Sequence, residues 1–361
     1  MNARRKIFHL ITSLQMGGTE RFLVEIVRGL KDRYDMEVAY LKDFGALGEE
    51  LQALGFKPHR LSGFWELVQA LQTSHPDLLH THLYQARIVG CLAGRWAGVP
   101  QILCSRRARD DWRSTALVLL DRSVSRLAHG FVVNSTDVKE VMLQEGFPAE
   151  KIHLLPPSLS ADFVPSLLSK SEARQKLGWP HQEGPVVGSL TRLHAEKGAD
   201  FLPDIVERIS AFYPQASFYI GGEGPLRISV ETDLKRRGLS PHVHFLGLVQ
   251  DRATFLAALD LFILPSREES FSQALLEAAV AGVPFTATAV GGTATLIQMG
   301  AAGTLAPPRD SSAFAAACLT LLKTLPESSQ RARNAVAHIQ GQASPGRMIE
   351  ALKKVYEEIL S

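Results

Sequence analysis

The sequence is poor in the features that assign a class at a glance. Only three cysteines occur in 361 residues, Cys91, Cys104 and Cys318, scattered and without CxxC spacing. This excludes a disulfide-framed scaffold and offers no thiolate cluster for a structural metal; free thiols in a reducing cytoplasm are the simplest reading. An excess of one charge is also missing. Lys and Arg number 39 against 37 Asp and Glu, a formal net charge of +2, so nothing global argues for nucleic acid. Long apolar runs are absent as well. The nearest, AAVAGVPFTATAVGGTATLI, contains Pro284 with several glycines and threonines, and a membrane-spanning helix is not expected. Arg4, Arg5 and Lys6 precede an apolar run of only about seven residues, interrupted by His9 and Thr12. It reads as a buried strand rather than a secretory signal. GxGxxG is missing, and Asp43 is poorly placed after MEVAYL to hold a ribose, so an NAD oxidoreductase is disfavoured.

What is present is a rhythm. Hydrophobic residues make up 45% and charged residues 21% of the chain, enough for two cores. Strand-like runs alternate with helical patterns from end to end. In the first half they are KIFHLIT (6–12), MEVAYL (36–41), DLLHTHL (77–83), QILCS (101–105) and FVVNS (131–135). In the second half they are PVVGSL (185–190), SFYIGG (217–222), VHFLG (243–247), LFILPS (261–266), PFTATA (284–289) and GTLAP (303–307). The pattern predicts an α/β chain of two doubly wound parallel domains, facing each other across a cleft. The boundary falls in a segment with Pro156, Pro157, Pro165, Pro180 and Pro185, giving domains of 1–160 and 161–342.

Several residues stand where chemistry is done. Gly17 and Gly18 follow the first strand, where a backbone can approach an anion at a helix N-terminus; a plain tight turn explains them equally. His80 and His82 end a strand and share a face, and no further ligand for zinc is evident nearby. Arg192 and Lys197 flank a strand-to-helix turn suited to a diphosphate, or form a solvated basic loop. A second glycine turn, GGEGP with Gly222, also follows a strand. Within REESFSQALLEAAVAGVP, Glu269 and Glu277 stand eight residues apart. A helix starting near Phe271 spreads them over about 12 Å, the reach from a sugar to the ribose of its nucleotide. A buried carboxylate needs donors, which vicinal hydroxyls supply. A glycosidase pair and a capping acid beside a backbone-satisfied acid are the alternatives.

Taken in order, MGGTERF, DLLHTH, NSTDVKEVMLQEGFPAEKI, SLTRLHAEKG, FYIGGEGPLR, VHFLG, PSREESFSQALLEAAVAGVP and VGGTATLI resemble the retaining glycosyltransferases of family 4, over nearly the whole chain. The resemblance implies the GT-B fold and transfer of a sugar from a nucleoside diphosphate sugar to a hydroxyl, with no metal and no cofactor. UDP is the first expectation and GDP-mannose the second; a glycan or lipid-linked acceptor of bacterial envelope polysaccharide, lipopolysaccharide or glycolipid synthesis is implied. It places Gly17 and Gly18 near phosphate and acceptor, His82 and Glu269 at the sugar, and Arg192 and Lys197 at the diphosphate. Glu277 falls at the ribose, backbone near His244, Phe245 and Leu246 beside the base, and Gly222, Ser270, Phe271 and Ser272 on the donor wall. The first domain is implied to bind acceptor and the second donor, with a C-terminal helix of about 343–361 packing back on the first. Departures are Pro157 and Ser158 in place of an Asn-Gly turn, Ser270 and Ser272 in place of common glycines, and Thr295 where a glutamate is frequent. A nucleotide-sugar 2-epimerase and a non-catalytic binder share the architecture.

One segment remains. Residues 105–129 carry Arg106, Arg107, Arg109, Arg113, Arg122 and Arg126 beside Trp112 and an LVLL run. As a basic, partly apolar helix it would grip an anionic acceptor or lie on the inner face of the cytoplasmic membrane. The alternative is a helix packed on the sheet with its arginines in solvent.

Overall fold

The computed structural model describes residues 4–179 and 183–361, so Pro180 of the boundary segment lies outside the described residues. Two compact units result: Met1–Ser160 with Ser344–Ser361, and Ala161–Ala343.

In the N-terminal unit the strands are β1 Lys6–Ile11, β2 Asp35–Tyr40, β3 His59–Arg60, β4 Leu78–His82, β5 Gln101–Arg106, β6 Gly130–Val133 and β7 Ile152–Leu154. They form one parallel sheet in the order β3-β2-β1-β4-β5-β6-β7. Alternation sends Ile7 and Ile11 of β1 into one core and Phe8 and Leu10 into another. Both faces are therefore covered, which is why these strands read as continuous apolar runs. The helix Gly18–Leu30 lies over the first face, burying Phe22, Leu23, Val24, Ile26 and Val27. The helix Pro345–Leu360 adds Met348, Leu352, Val355 and Tyr356 to the same core.

In the C-terminal unit the strands are β8 Val186–Leu190, β9 Ser217–Gly221, β10 Val243–Gly247, β11 Leu261–Leu264, β12 Phe285–Thr288 and β13 Gly303–Ala306. All are parallel, in the order β10-β9-β8-β11-β12-β13. Each sheet thus reverses its winding once, between β1 and β4 and between β8 and β11. Ligands of open α/β sheets bind at the carboxyl ends beside such a switch. No helix among the described residues is long and apolar enough to cross a membrane.

Candidate active site

In the C-terminal unit, the loops after β8, β9, β11 and β12 are tied together by their backbones. Leu193 donates to the Glu223 carbonyl at 2.9 Å, Arg267 to the Glu196 carbonyl at 2.8 Å, and Gly292 to the Ser270 carbonyl at 2.9 Å. The approach is close enough to require glycine at Gly222, with φ +124° and an ideal Cβ only 1.9 Å from the Thr191 oxygen.

This frame brings Lys197 and Glu269 together. Lys197 Nζ lies 2.8 Å from Glu269 Oε1 and 3.4 Å from the Glu268 carbonyl. Ser266 Oγ donates to the same Oε1 at 3.1 Å. Glu269 is only 9% exposed and Lys197 18%. Arg192 is turned away, 64% exposed and paired with Glu196 at 2.6 Å; a surface pair of this kind is worth little and releases easily.

The helix Gln273–Val280 begins two residues after Phe271, because the Ser272 hydroxyl accepts from the Leu275 N–H as its cap. Glu277, on this helix, is 1% exposed. Burial pushes its carboxyl up to about 7, against the pull of Arg252, whose Nη1 lies 3.0 Å from Oε1. Oε1 has no aligned hydrogen-bond donor among the described residues, so Glu277 retains capacity for hydroxyl donors. Arg252, at the start of the helix Arg252–Ala257, carried no signal in the sequence. His244 stacks at 4.6 Å on Tyr219. Phe245 and Leu246 lie at the register shift that ends edge strand β10.

In the N-terminal unit, Gly17 caps the helix Gly18–Leu30 without a side chain, and a Cβ at Gly18 would meet nothing. A Cβ at Gly17, by contrast, would stand 2.3 Å from Glu20 Oε2, so the turn is open at Gly18 and covered by a carboxylate at Gly17. His80 and His82 do share a face. They are joined by His9 of β1, the third ring that a search of neighbouring sequence missed; it pairs in register with His80 across the sheet. His9 Nδ1 lies 3.1 Å from His82 Nε2. His80 is engaged at both nitrogens, Nδ1 at 2.7 Å from the Tyr356 hydroxyl and Nε2 at 2.8 Å from Ser105 Oγ. His82 does end β4 but is not presented to solvent, with 0% exposure. His9, His80 and Phe22 pack on its ring.

All three histidines are held neutral. Burial lowers His9 to about 3 and takes His80 and His82 well below their ordinary value, with neighbouring charge adding to the effect. Their folded values lie below the unfolded one, so on acidification the native state binds fewer protons than the unfolded chain does. Stability of this unit is then lost as pH falls below about 6.5, by about 1.4 kcal/mol per pH unit for each histidine. Glu277 acts oppositely on the other unit: its raised value favours the fold below about 4.5, and that gain is lost as pH rises through about 7. Urea unfolding of the N-terminal unit between about pH 7.5 and pH 5 checks this. A flat profile would mean that the folded cluster takes up protons.

The basic segment is not one amphipathic helix. Arg106 ends β5, and the helix that follows is only Thr115–Val124. Arg106 and Arg113 face inward, each 1% exposed at the side chain, and are spent on structure. Arg106 Nη1 and Nη2 reach the two Glu145 oxygens at 2.5 and 3.0 Å. Arg113 reaches Asp121 and Glu145 at 2.6 Å each. Arg87 grips Asp121 with two bonds of 3.0 and 2.7 Å. Arg109 pairs with Asp111 and Asp137. Trp112 is 65% exposed. Arg107 differs from Arg106, Arg109 and Arg113. It has no carboxylate partner among the described residues, it stacks 4.1 Å over Phe22, and burial lowers it to about 10.

Two parallel sheets with one winding switch each are the architecture of GT-B glycosyltransferases. The crystal structure of Anabaena HepE in complex with UDP matches with a TM-score of 0.86 at 23% identity, over 98% of this chain and 100% of that one. WaaG, a glycosyltransferase involved in lipopolysaccharide biosynthesis, matches with a TM-score of 0.71 at 16% identity, over 98% and 99%. Residues 16–163 match the model for Glycosyltransferase Family 4, and residues 184–324 that for Glycosyl transferases group 1. The D-inositol 3-phosphate glycosyltransferase of Mycobacterium avium is 30% identical over 309 residues, 78% of this chain and 70% of that one. The chain belongs to glycosyltransferase family 4, the glycosyl transferases group 1.

Proposed function

We propose that the protein transfers a sugar from a nucleoside diphosphate sugar to a hydroxyl with retention of anomeric configuration and without a metal ion. A UDP-sugar is the first choice of donor and GDP-mannose the second; UDP in HepE supports that order. The acceptor is a glycan or lipid-linked sugar of bacterial envelope polysaccharide, lipopolysaccharide or glycolipid synthesis, in keeping with WaaG.

The carrying observation is the Lys197–Glu269 contact beside the β8/β11 switch, on one frame with Arg192 and the helix of Glu277. As the bond from the anomeric carbon to the leaving oxygen breaks, the diphosphate gains charge and the sugar becomes oxocarbenium-like. Cations aimed at that oxygen lower the barrier. An arriving diphosphate competes for Lys197 and for Arg192, whose present partner is a weak surface contact. Glu269, released from Lys197, accepts from sugar hydroxyls, and Glu277 takes the ribose hydroxyls. The acceptor hydroxyl forms the new bond on the same face, and its proton passes to the leaving phosphate. Gly222, Ser270, Phe271 and Ser272 line the donor, with backbone near His244, Phe245 and Leu246 toward the base. Gly17 and Gly18 lie toward phosphate and acceptor. Arg107, unpaired and half-buried, is assigned to an anionic group on the acceptor. His82 is left out of the donor set because its ring is covered.

The test is release of nucleoside diphosphate from candidate donors with glycan acceptors in excess EDTA, with the product linkage read by NMR. Turnover with donor and product of the same anomeric configuration is expected. Loss of turnover in EDTA or an inverted product would contradict the proposal. Binding without release would mark a non-catalytic binder, and an epimerised sugar a 2-epimerase.

A further inference from the structure

Glu277 sits among apolar neighbours. Leu275, Leu276, Ala278 and Ala279 flank it on the helix Gln273–Val280, and all five are buried. The strands beneath that helix, β11 and β12, carry no ionisable side chain. The opposite charge comes from elsewhere in the C-terminal unit: Arg252 Nη1 lies 3.0 Å from Glu277 Oε1. This contact is off the hydrogen-bond line. The guanidinium therefore supplies charge at short range while the Oε1 lone pairs stay available to a better-aligned donor.

Arg252 is itself held in place. It opens the helix Arg252–Ala257, and the acid beside it, Asp251, is occupied. Asp251 Oδ1 accepts from the Thr254 N–H at 3.0 Å, and Oδ2 accepts from the Thr254 hydroxyl and Lys176 Nζ at 2.8 Å each. Arg252 Nη2 lies 3.8 Å from Asp162, and its Cζ stands 6.0 Å over the ring of Phe163, which is buried. Contacts to Glu277, Asp162 and Phe163 fix the plane of the guanidinium more closely than one ion pair would. Burial raises the Glu277 carboxyl and Asp162 adds to the rise; Arg252 is the charge that opposes it. A buried acid beside one misaligned cation is a costly way to fill an apolar helix. A ligand that brings the missing aligned donors gives the pair its use.

We propose that Arg252 is a positioning residue for nucleotide binding: it holds the Glu277 carboxylate where it accepts from the vicinal ribose hydroxyls, and acts on the nucleotide only through Glu277. The inference rests on the ribose role proposed above for Glu277 and adds the residue that makes that carboxylate competent.

The affinities of the full chain for UDP and 2′-deoxy-UDP, measured by titration calorimetry, test it; GDP and 2′-deoxy-GDP replace them if wild type binds guanine. Wild type is expected to prefer the ribonucleotide about 10- to 100-fold, the usual effect of a hydrogen bond to a charged acceptor. Arg252→Gln weakens UDP binding and leaves 2′-deoxy-UDP binding as it was, so the preference shrinks to about threefold or less. Arg252→Lys, which returns the cation, recovers part of it. Glu277→Gln also loses the preference, and adding Arg252→Gln to it changes neither affinity further, as expected of two residues acting through one contact. The double variant leaves no buried charge without its partner, so it decides the matter even if Arg252→Gln alone folds poorly. A thermal melt of each variant reports folding separately; an ion pair of structural value alone would lower the melt and leave the nucleotide preference intact. An unchanged preference in Arg252→Gln, an equal loss for both nucleotides, no recovery in Arg252→Lys, or a further loss in the double variant would overturn the proposal and leave the ribose role of Glu277 standing. Equal binding of both nucleotides by wild type would remove that role, and this inference with it.

Discussion

Lys197→Ala lowers the transfer rate about 100- to 1000-fold, the usual loss when a preorganised donor to developing charge is removed. Arg192→Ala does the same by the same reasoning, and the pair separates chemistry from folding. Lys197 is half-buried against Glu269, so its loss also leaves that carboxylate with Ser266 Oγ as its remaining side-chain donor. Arg192 holds only the exposed Glu196, so its removal changes stability by a few tenths of a kcal/mol. Turnover under saturating donor and acceptor, with a thermal melt of each variant, provides the check. Near-normal turnover in either variant would remove these cations from the reaction.

Asp121→Ala has the largest expected effect on stability. Asp121 is fully buried and answers two arginines, Arg87 with two bonds and Arg113 with one, while Ser125 Oγ donates to it at 3.0 Å. Burial raises its carboxyl, but the two guanidinium groups outweigh that and hold it below its ordinary value. Without it, the carboxylate left beside Arg87 among the described residues is the distant Asp110, at 3.8 Å. Breaking a buried pair from one side costs about 3–5 kcal/mol, because the surviving charge stays buried without its partner. Chemical unfolding of the N-terminal unit should show a loss of that size. A loss below about 1 kcal/mol would mean that water or Glu145 takes over from Asp121.

The same network shows where sequence reading ends. Strands such as KIFHLI were legible because a sheet covered on both faces demands apolar residues at consecutive positions. The edge strands β3 and β7, of two and three residues, were not, since so short a ladder leaves no periodicity. Glu269 and Glu277 could be singled out because a carboxylate in an apolar helix needs a reason, but Arg252 could not, lying on a separate helix with no pattern of its own. The basic segment misled for a related reason. Charge density does not say which way a side chain points, and the Arg106 partner Glu145 lies on another element. His9 escaped notice because it becomes a neighbour of His82 only once β1 pairs with β4. Local period reports burial; partners supplied by another element appear only when the sheets are assembled.

The most direct measurement on the central claim is thermal unfolding with UDP, GDP, ADP and NAD, each at about 100 times a plausible Kd. Binding to the native state alone adds about 2.7 kcal/mol, a shift of several degrees. The expected result is a shift with UDP, or with GDP in its place, that Glu277→Ala abolishes. A shift with NAD alone, or with none of the four, would contradict a nucleoside diphosphate site built on Arg192, Lys197, Glu269 and Glu277.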